Sequence, residues 1–152
     1  MTRTTARQLA LQLSFAVSAG SDIGPEDFFE EEYFRALPPE ENLFDEVPDD
    51  KQKEYILSLV NGVRLHQAEL DAIVERYAQG WKISRISRTA LAVLRCALYE
   101  ILYMPDIPPA ASINEAVELA KAYDEPETVS FINGILGSFM RQEKPTGGAD
   151  EA

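Results

Sequence analysis

Residues able to carry out covalent or metal chemistry are scarce in this sequence. It contains one histidine, His66, and one cysteine, Cys96, too few for a metal site with ordinary ligand spacing. It has no glycine loop that would cradle phosphate, no G-x-S-x-G nucleophile and no D-x-D-x-D-G calcium loop. The carboxylates of Glu115 and Glu118, one helical turn apart, are explained by a helix cap and a solvated face. We therefore predict no catalytic residue, no metal and no cofactor, and a protein that is not an enzyme.

The first helix offers a different kind of chemistry. Helical spacing predicts this helix over residues 4–17, and one arc of it forms a core face. The core face consists of Ala6, Leu9, Ala10, Leu13, Ala16 and Val17. Beside it runs a second strip made of Arg3, Arg7, Ser14, Leu11 and Phe15. Two interpretations stay open: the apolar pair packs under another helix while the arginines are solvated, or the strip binds a ligand.

The remaining elements that must position these residues are also helical. No segment alternates with a period of two, so we predict an all-α chain of about six or seven helices. With 152 residues, 45% of them hydrophobic, the chain is long enough for one compact unit. Residues 50–77 form one long helix or two shorter ones that break near Asn61-Gly62 or at His66, with Asp49 or Asp50 as the cap. Residues 87–104 form the most apolar and central helix, which MPDIPP ends.

The last two helices carry more specific signals. Ser112 and Glu115 have the spacing of a capping box that starts a helix after Pro108-Pro109. The final helix is predicted to begin at Thr128 and to bury Val129, Ile132, Leu136, Phe139 and Met140, with Phe131 and Ile135 off that stripe. Gly134 and Gly137 each cost about 1 kcal/mol relative to alanine inside a helix, which indicates close approach of a neighbour or a ligand. Residues 142–152 are predicted to be a flexible tail.

The net charge of −12 is unevenly distributed. Residues 21–50 hold 12 of the 26 acidic residues and a single base, Arg35, so this acidic arm has a net charge of −11 and the rest of the chain −1. A short amphipathic helix is predicted within the arm, around residues 26–37. The nearly neutral body leaves room for a basic patch, although non-specific DNA binding is not expected.

Cysteine usage and hydropathy indicate the compartment. A single cysteine inside the apolar run LAVLRCALYEIL predicts a buried thiol and a cytoplasmic protein. The N-terminal MTRTTARQLALQLSFAVSAG faintly imitates a secretory signal, but Gln8, Gln12 and Ser14 interrupt its apolar stretch where an amphipathic helix needs polar residues. Arg95 and Glu100 interrupt the longest apolar run, so no membrane span is predicted.

Several motifs together resemble one protein family. The run ALAVLRCALYEILYMPDIPPAASINEAVELAKAYDEPETVSFINGIL is similar to the C-terminal half of the NusB transcription antitermination factors, and TARQLALQLSF resembles their first helix. The similarity spans residues 3–20 and about 55–140. It implies two three-helix bundles packed together in one domain over residues 1–141. It also implies a factor that binds the boxA element of ribosomal RNA leader transcripts with the ribosomal protein NusE, in an antitermination complex with RNA polymerase.

The resemblance also implies roles for individual residues. The family's basic N-terminal run matches Arg3 and Arg7, and its helix-one aromatic matches Phe15. Arginines contact phosphates while an aromatic ring stacks on an unpaired base, as single-stranded RNA is usually bound. The F-x-NG step matches Phe131, Asn133 and Gly134, either for RNA or for helix packing. Arg95 matches the family's LR arginine, which alternatively pairs inside the protein.

One departure from the family pattern leaves rival hypotheses open. Many members carry a dense arginine cluster where this chain reads RTTAR, and each lost phosphate contact removes about 0.7 from the salt slope. We therefore expect weak RNA binding by the protein alone and tighter binding with the basic NusE. The alternatives are a helical protein-interaction adaptor that does not bind RNA, and a homodimer that associates through the first helix.

Overall fold

The computed structural model describes residues 2–18, 49–78 and 86–143, and these form six helices and no strand. The helices are α1 (Arg3–Ser18), α2 (Asp50–Leu65), α3 (Gln67–Tyr77), α4 (Arg88–Tyr103), α5 (Pro109–Tyr123) and α6 (Pro126–Glu143). The all-α prediction is confirmed. The acidic arm up to residue 48, with its predicted helix, and the tail from residue 144 lie outside the described residues.

The chain divides into two compact units, residues 1–64 and 65–152, and α1 and most of α2 belong to the first. The helix α2 begins with a reciprocal cap, because the Asp49 N–H donates to Gln52 Oε1 (2.9 Å) and the Gln52 N–H donates to Asp49 Oδ1 (2.8 Å). This identifies Asp49 as the cap. The apolar side chains buried in this unit include Ala6, Leu9, Ala10, Leu11, Leu13, Tyr55, Ile56, Leu59, Val60 and Val63.

Four helices, α3 to α6, make up the second unit. The helix α4 contacts the other three, so its predicted central position is confirmed. It begins at Ser87, whose side chain accepts a hydrogen bond from the Ala90 N–H (3.1 Å). The Cys96 thiol is buried in it, as predicted. The break between α2 and α3 falls at His66 and not at Asn61-Gly62.

The predicted capping box at Ser112 is wrong. The helix α5 begins at Pro109 with Pro108 as its cap residue, because a proline in the first turn needs no N–H partner and its fixed φ already suits a helix. Ser112 therefore lies within the helix on its buried face, 2% exposed. Its hydroxyl donates to Oε1 of the buried Glu100 on α4 (2.8 Å). Ser112 therefore connects α5 to α4 through its side chain and does not begin α5.

The final helix is longer and buries a different stripe than predicted. It begins at Pro126, two residues before Thr128, and it includes residues 142 and 143, which we expected in the tail. Its end is attached to the unit, since Glu143 Oε2 accepts from the Tyr77 hydroxyl (2.6 Å) and pairs with Arg76 Nη1 (2.5 Å). Ile135 is 2% exposed, so its predicted position off the core stripe is wrong.

Two kinds of site are missing from the part of the chain just described. None of its helices is long and apolar enough to cross a membrane. No group of three or more histidine, cysteine or carboxylate side chains is placed there to hold a metal ion.

Candidate nucleic-acid interface

Arg3 lies exposed in the first turn of α1. Its guanidinium carbon is 4.3 Å from the centre of the Tyr55 ring on α2. A cation over an aromatic face is attracted by the ring's negative potential, which restricts the flexible arginine to one region of the surface. The guanidinium donors lie in its own plane. Arg3 is thus a positioned cation to which a phosphate has access.

A threonine just before the RTTAR run caps the first helix. The Thr5 N–H donates to Thr2 Oγ1 (3.0 Å), and the two hydroxyls are 2.9 Å apart. Thr2 therefore caps α1, one residue before the exposed arginine. Within RTTAR, Thr5 contributes its backbone N–H and its hydroxyl to the contacts with Thr2.

Arg7 differs from Arg3. It is 7% exposed, so the interpretation with two solvated arginines holds for Arg3 and not for Arg7. Ser14 and Leu11 of the same strip are buried as well, and the position of the Phe15 side chain lies outside the described residues. The strip on α1 is mostly core, with Arg3 at its accessible end.

The F-x-NG step lies on α6, in the second unit. Asn133 and Gly134 are exposed and Phe131 is partly exposed. A Cβ atom placed on Gly134 would meet nothing within 4 Å. No neighbour in the described part of the chain therefore requires glycine here, and helix packing does not account for it. The exposed glycine leaves the helix backbone uncovered by a side chain at this position.

Gly137, one turn further along α6, has a different environment. A Cβ atom there would lie 3.2 Å from Nη1 of Arg141. The Arg141 Nη2 group also donates to Ser138 Oγ (3.3 Å), so the arginine side chain folds back along the helix. This glycine gives space to a flexible side chain of its own helix, while a Cβ atom on Gly134 would meet no atom of the described residues.

Arg95 makes a paired contact inside the second unit. Its Nε and Nη2 groups donate to Oδ1 and Oδ2 of Asp71 on α3, at 2.7 and 2.8 Å. The arginine side chain is 11% exposed and the aspartate 23%. The alternative in which Arg95 pairs within the protein is therefore what the structure shows, and an RNA contact by Arg95 stays a prediction.

The turn before α6 holds a partly buried carboxylate, that of Asp124. Its buried Oδ2 atom has no hydrogen-bond partner among the described residues. Burial raises the pKa of Asp124, and the neighbouring Glu125 charge raises it further. The turn between α5 and α6 thus holds a carboxylate whose charged form is disfavoured by burial.

Sequence reasoning missed two features of these surfaces. It did not pair Arg3 with Tyr55, because they are 52 positions apart and no local periodicity connects them. It also treated His66 only as a helix break, although the ring stacks 4.4 Å from Tyr103. Aromatic residues near the ends of these helices are the one sequence signal for such contacts, and this signal does not show which residues contact one another.

The comparisons with known proteins agree on one family. The NusB family model matches residues 4–141. The transcription antitermination protein NusB of Alkaliphilus oremlandii is 41% identical over 94% of this chain and 96% of its own length. A crystal structure of T. maritima NusB has a TM-score of 0.72 at 30% identity and covers 93% of this chain and 92% of the other.

One further structure matches the fold. The crystal structure of the antitermination factors NusB and NusE in complex with dsRNA has a TM-score of 0.71 at 23% identity, covering 91% of this chain and 96% of that chain. At this level of identity, the match concerns the fold alone.

Proposed function

The chain belongs to the NusB family, and on that premise we propose that it binds boxA-type single-stranded RNA of ribosomal RNA leader transcripts together with NusE. As a NusB protein it is an antitermination factor and not an enzyme. The proposed complex acts in the cytoplasm with an elongating RNA polymerase.

The observation that carries the RNA part of this proposal is the open surface at Gly134. A glycine inside a helix costs about 1 kcal/mol relative to alanine, and no described neighbour requires it, since a Cβ atom would enter empty space. Asn133 beside it supplies an exposed amide that both donates and accepts. The partly exposed ring of Phe131, one turn earlier, offers an apolar face for a base. These three residues form the proposed RNA surface of α6.

Arg3 is the proposed phosphate contact of the first unit. It is exposed and positioned over Tyr55, whereas the buried Arg7 offers little surface to an anion. RNA contacts by Arg7 and Phe15, which the family resemblance implies, stay predictions. Because one accessible arginine contributes only about 0.7 to the salt slope for a single strand, the protein alone should bind RNA weakly.

NusE is the proposed partner that completes the RNA site. A basic ribosomal protein would add the positive charge that RTTAR lacks, and the net charge of −12 would attract it. The fold relative crystallised with NusE and dsRNA is the reason to include NusE in the experiment.

The test is a titration of a fluorescent boxA-type RNA with the protein, with and without NusE, over a salt series. The expected result is weak binding alone and much tighter binding with NusE, in both cases weakened by salt. Equally weak complexes with and without NusE would refute the cooperative proposal.

A second candidate function is an adaptor that binds proteins and not RNA. It is favoured by the burial of Arg7 and by the engagement of Arg95 with Asp71, which remove two of the expected cations from solvent. The absence of RNA binding under all conditions, together with retained NusE binding, would select it.

Self-association is tested separately by sedimentation over a concentration series, in which a constant mass excludes a homodimer.

A further inference from the structure

A stacked aromatic cluster lies where α3 begins and α4 ends. The His66 ring is 4.4 Å from that of Tyr103 with an angle of 27° between the planes, and the Tyr99 ring is 5.0 Å from that of Tyr103. The Tyr103 hydroxyl donates to Oε1 of Glu69 (2.5 Å), and His66 Nδ1 is 3.3 Å from the same oxygen. We call His66, Glu69, Tyr99 and Tyr103 the aromatic patch.

The aromatic patch and the residue that precedes it in the chain are accessible. Leu65 is 81% exposed and Tyr103 is 40% exposed, and they are the two large hydrophobic side chains classed as exposed among the described residues. Leu65 directly precedes the patch residue His66 in the chain, so this region exposes apolar surface at two positions. A ligand for this surface needs an apolar part.

The carboxylate in the aromatic patch indicates the charge of that ligand. The Glu69 side chain is 49% exposed. Within the described ranges, Tyr103 and His66 contact its Oε1 atom and no hydrogen bond reaches Oε2. The bond from the tyrosine fixes the carboxylate beside the rings, and it raises the pKa of the Tyr103 hydroxyl. An anion held against aromatic rings is a favourable setting for a guanidinium, which stacks on rings and pairs with carboxylates.

We propose that the aromatic patch and Leu65 bind an arginine-bearing segment of a protein partner, with the guanidinium at Glu69 and Tyr103 and an apolar neighbour on Leu65. A protein is favoured over a nucleic acid because Glu69 repels phosphate, whereas it attracts a cationic side chain. The surface is independent of the proposed RNA contacts, since it uses none of their residues. It gives the second unit a protein-binding function in addition to RNA binding.

The test is a nuclear magnetic resonance titration of the full chain with a capped Gly-Arg-Leu-Gly peptide. The expected result is saturable movement of the His66 and Tyr103 ring signals, with a Kd on the order of 1 mM for so few contacts. The same peptide with citrulline in place of arginine should not bind, because it has lost the charge. Glu69→Gln should weaken binding about fivefold, whereas Glu75→Gln, an exposed glutamate on the same helix, should not.

Three outcomes would overturn the proposal. They are unmoved ring signals at saturating peptide, equal binding of the citrulline peptide, and stronger movement of the same signals by a single-stranded RNA. Backbone spectra of Glu69→Gln and Glu75→Gln show whether each variant is folded.

Discussion

Arg95 on α4 and Asp71 on α3 face each other through two parallel hydrogen bonds of 2.7 and 2.8 Å. This fork geometry is specific to arginine, because a lysine presents a single point charge. Both side chains are largely removed from water, so loss of one partner leaves the other desolvated and unpaired. The pair fixes one helix of the second unit against another.

We predict that Arg95→Ala destabilises the protein by about 2–3 kcal/mol and that Arg95→Lys recovers only part of this loss. Urea unfolding measures the free energy, and Arg88→Ala, at an exposed position on the same helix, is the matched control. RNA affinity of the folded variant tests the predicted RNA contact separately, and an affinity equal to that of the unchanged protein would limit the role of Arg95 to its pair with Asp71. A loss of RNA affinity in the folded variant would instead establish Arg95 as an RNA contact.

Gly134→Ala should separate stability from function. The added methyl group meets nothing within 4 Å and removes the entropic cost of glycine, so the variant should be more stable by about 0.5–1 kcal/mol. RNA binding should nevertheless weaken, because the methyl group blocks approach to the backbone. Gly137→Ala is the control, since its methyl group meets only the flexible Arg141 side chain. Unchanged RNA affinity in Gly134→Ala would remove this position from the RNA surface.

Arg3→Ala should lower RNA affinity and make the affinity less dependent on salt. The slope of log K against log salt should fall by about 0.7, the value for one phosphate contact to a single strand. Arg64→Ala, another exposed arginine of the same unit, should leave the slope unchanged. The measurement is fluorescence anisotropy with NusE present; an unaltered slope in Arg3→Ala would contradict a phosphate contact there.

Asp124→Asn should stabilise the protein at neutral pH. Burial raises the pKa of Asp124 above 3.8 in the folded state, so just above that pH the folded protein holds more protons than the unfolded chain. Stability contributed by this group is therefore lost as the pH rises through the folded pKa. The melting temperature of the variant should exceed that of the parent at pH 7, and the difference should shrink towards pH 4. Parallel pH profiles of the two proteins would contradict this assignment.

Ser112→Ala should cost about 1–3 kcal/mol, because it removes a donor from the buried carboxylate of Glu100. Ser130→Ala, at an exposed position on α6, should be nearly neutral. Thermal unfolding followed by circular dichroism gives both values. A neutral Ser112→Ala would mean that this hydrogen bond contributes nothing to the stability of the second unit.

Periodicity predicted the helices well because each apolar stripe is encoded locally. Residues 87–104 were expected to form the central helix and do so within a residue at each end. Helix starts are less predictable where two signals compete. Pro109 and Pro126 begin their helices, whereas the sequence pattern favours starts at the hydroxyl residues two or three positions later.

The surfaces depended on contacts that no local pattern contains. The burial of Arg7, the pairing of Arg95 with Asp71 and the contact of Arg3 with Tyr55 each involve the tertiary environment. The open space at Gly134 is equally invisible to sequence, since a glycine that packs and a glycine that admits a ligand look alike. The family resemblance identified the helices that carry the proposed RNA contacts. The structure shows which of their side chains are accessible and which are buried or paired.

The thiol of Cys96 reports on opening of the second unit. The sequence has a single thiol, and it is 8% exposed in the helix that contacts all three others of the unit. A thiol reagent reaches it only after those helices separate, so the labelling rate counts openings of the unit. Partners that close the unit would slow the reaction and partners that leave it unchanged would not, which makes one native atom a probe of assembly that needs no engineered cysteine.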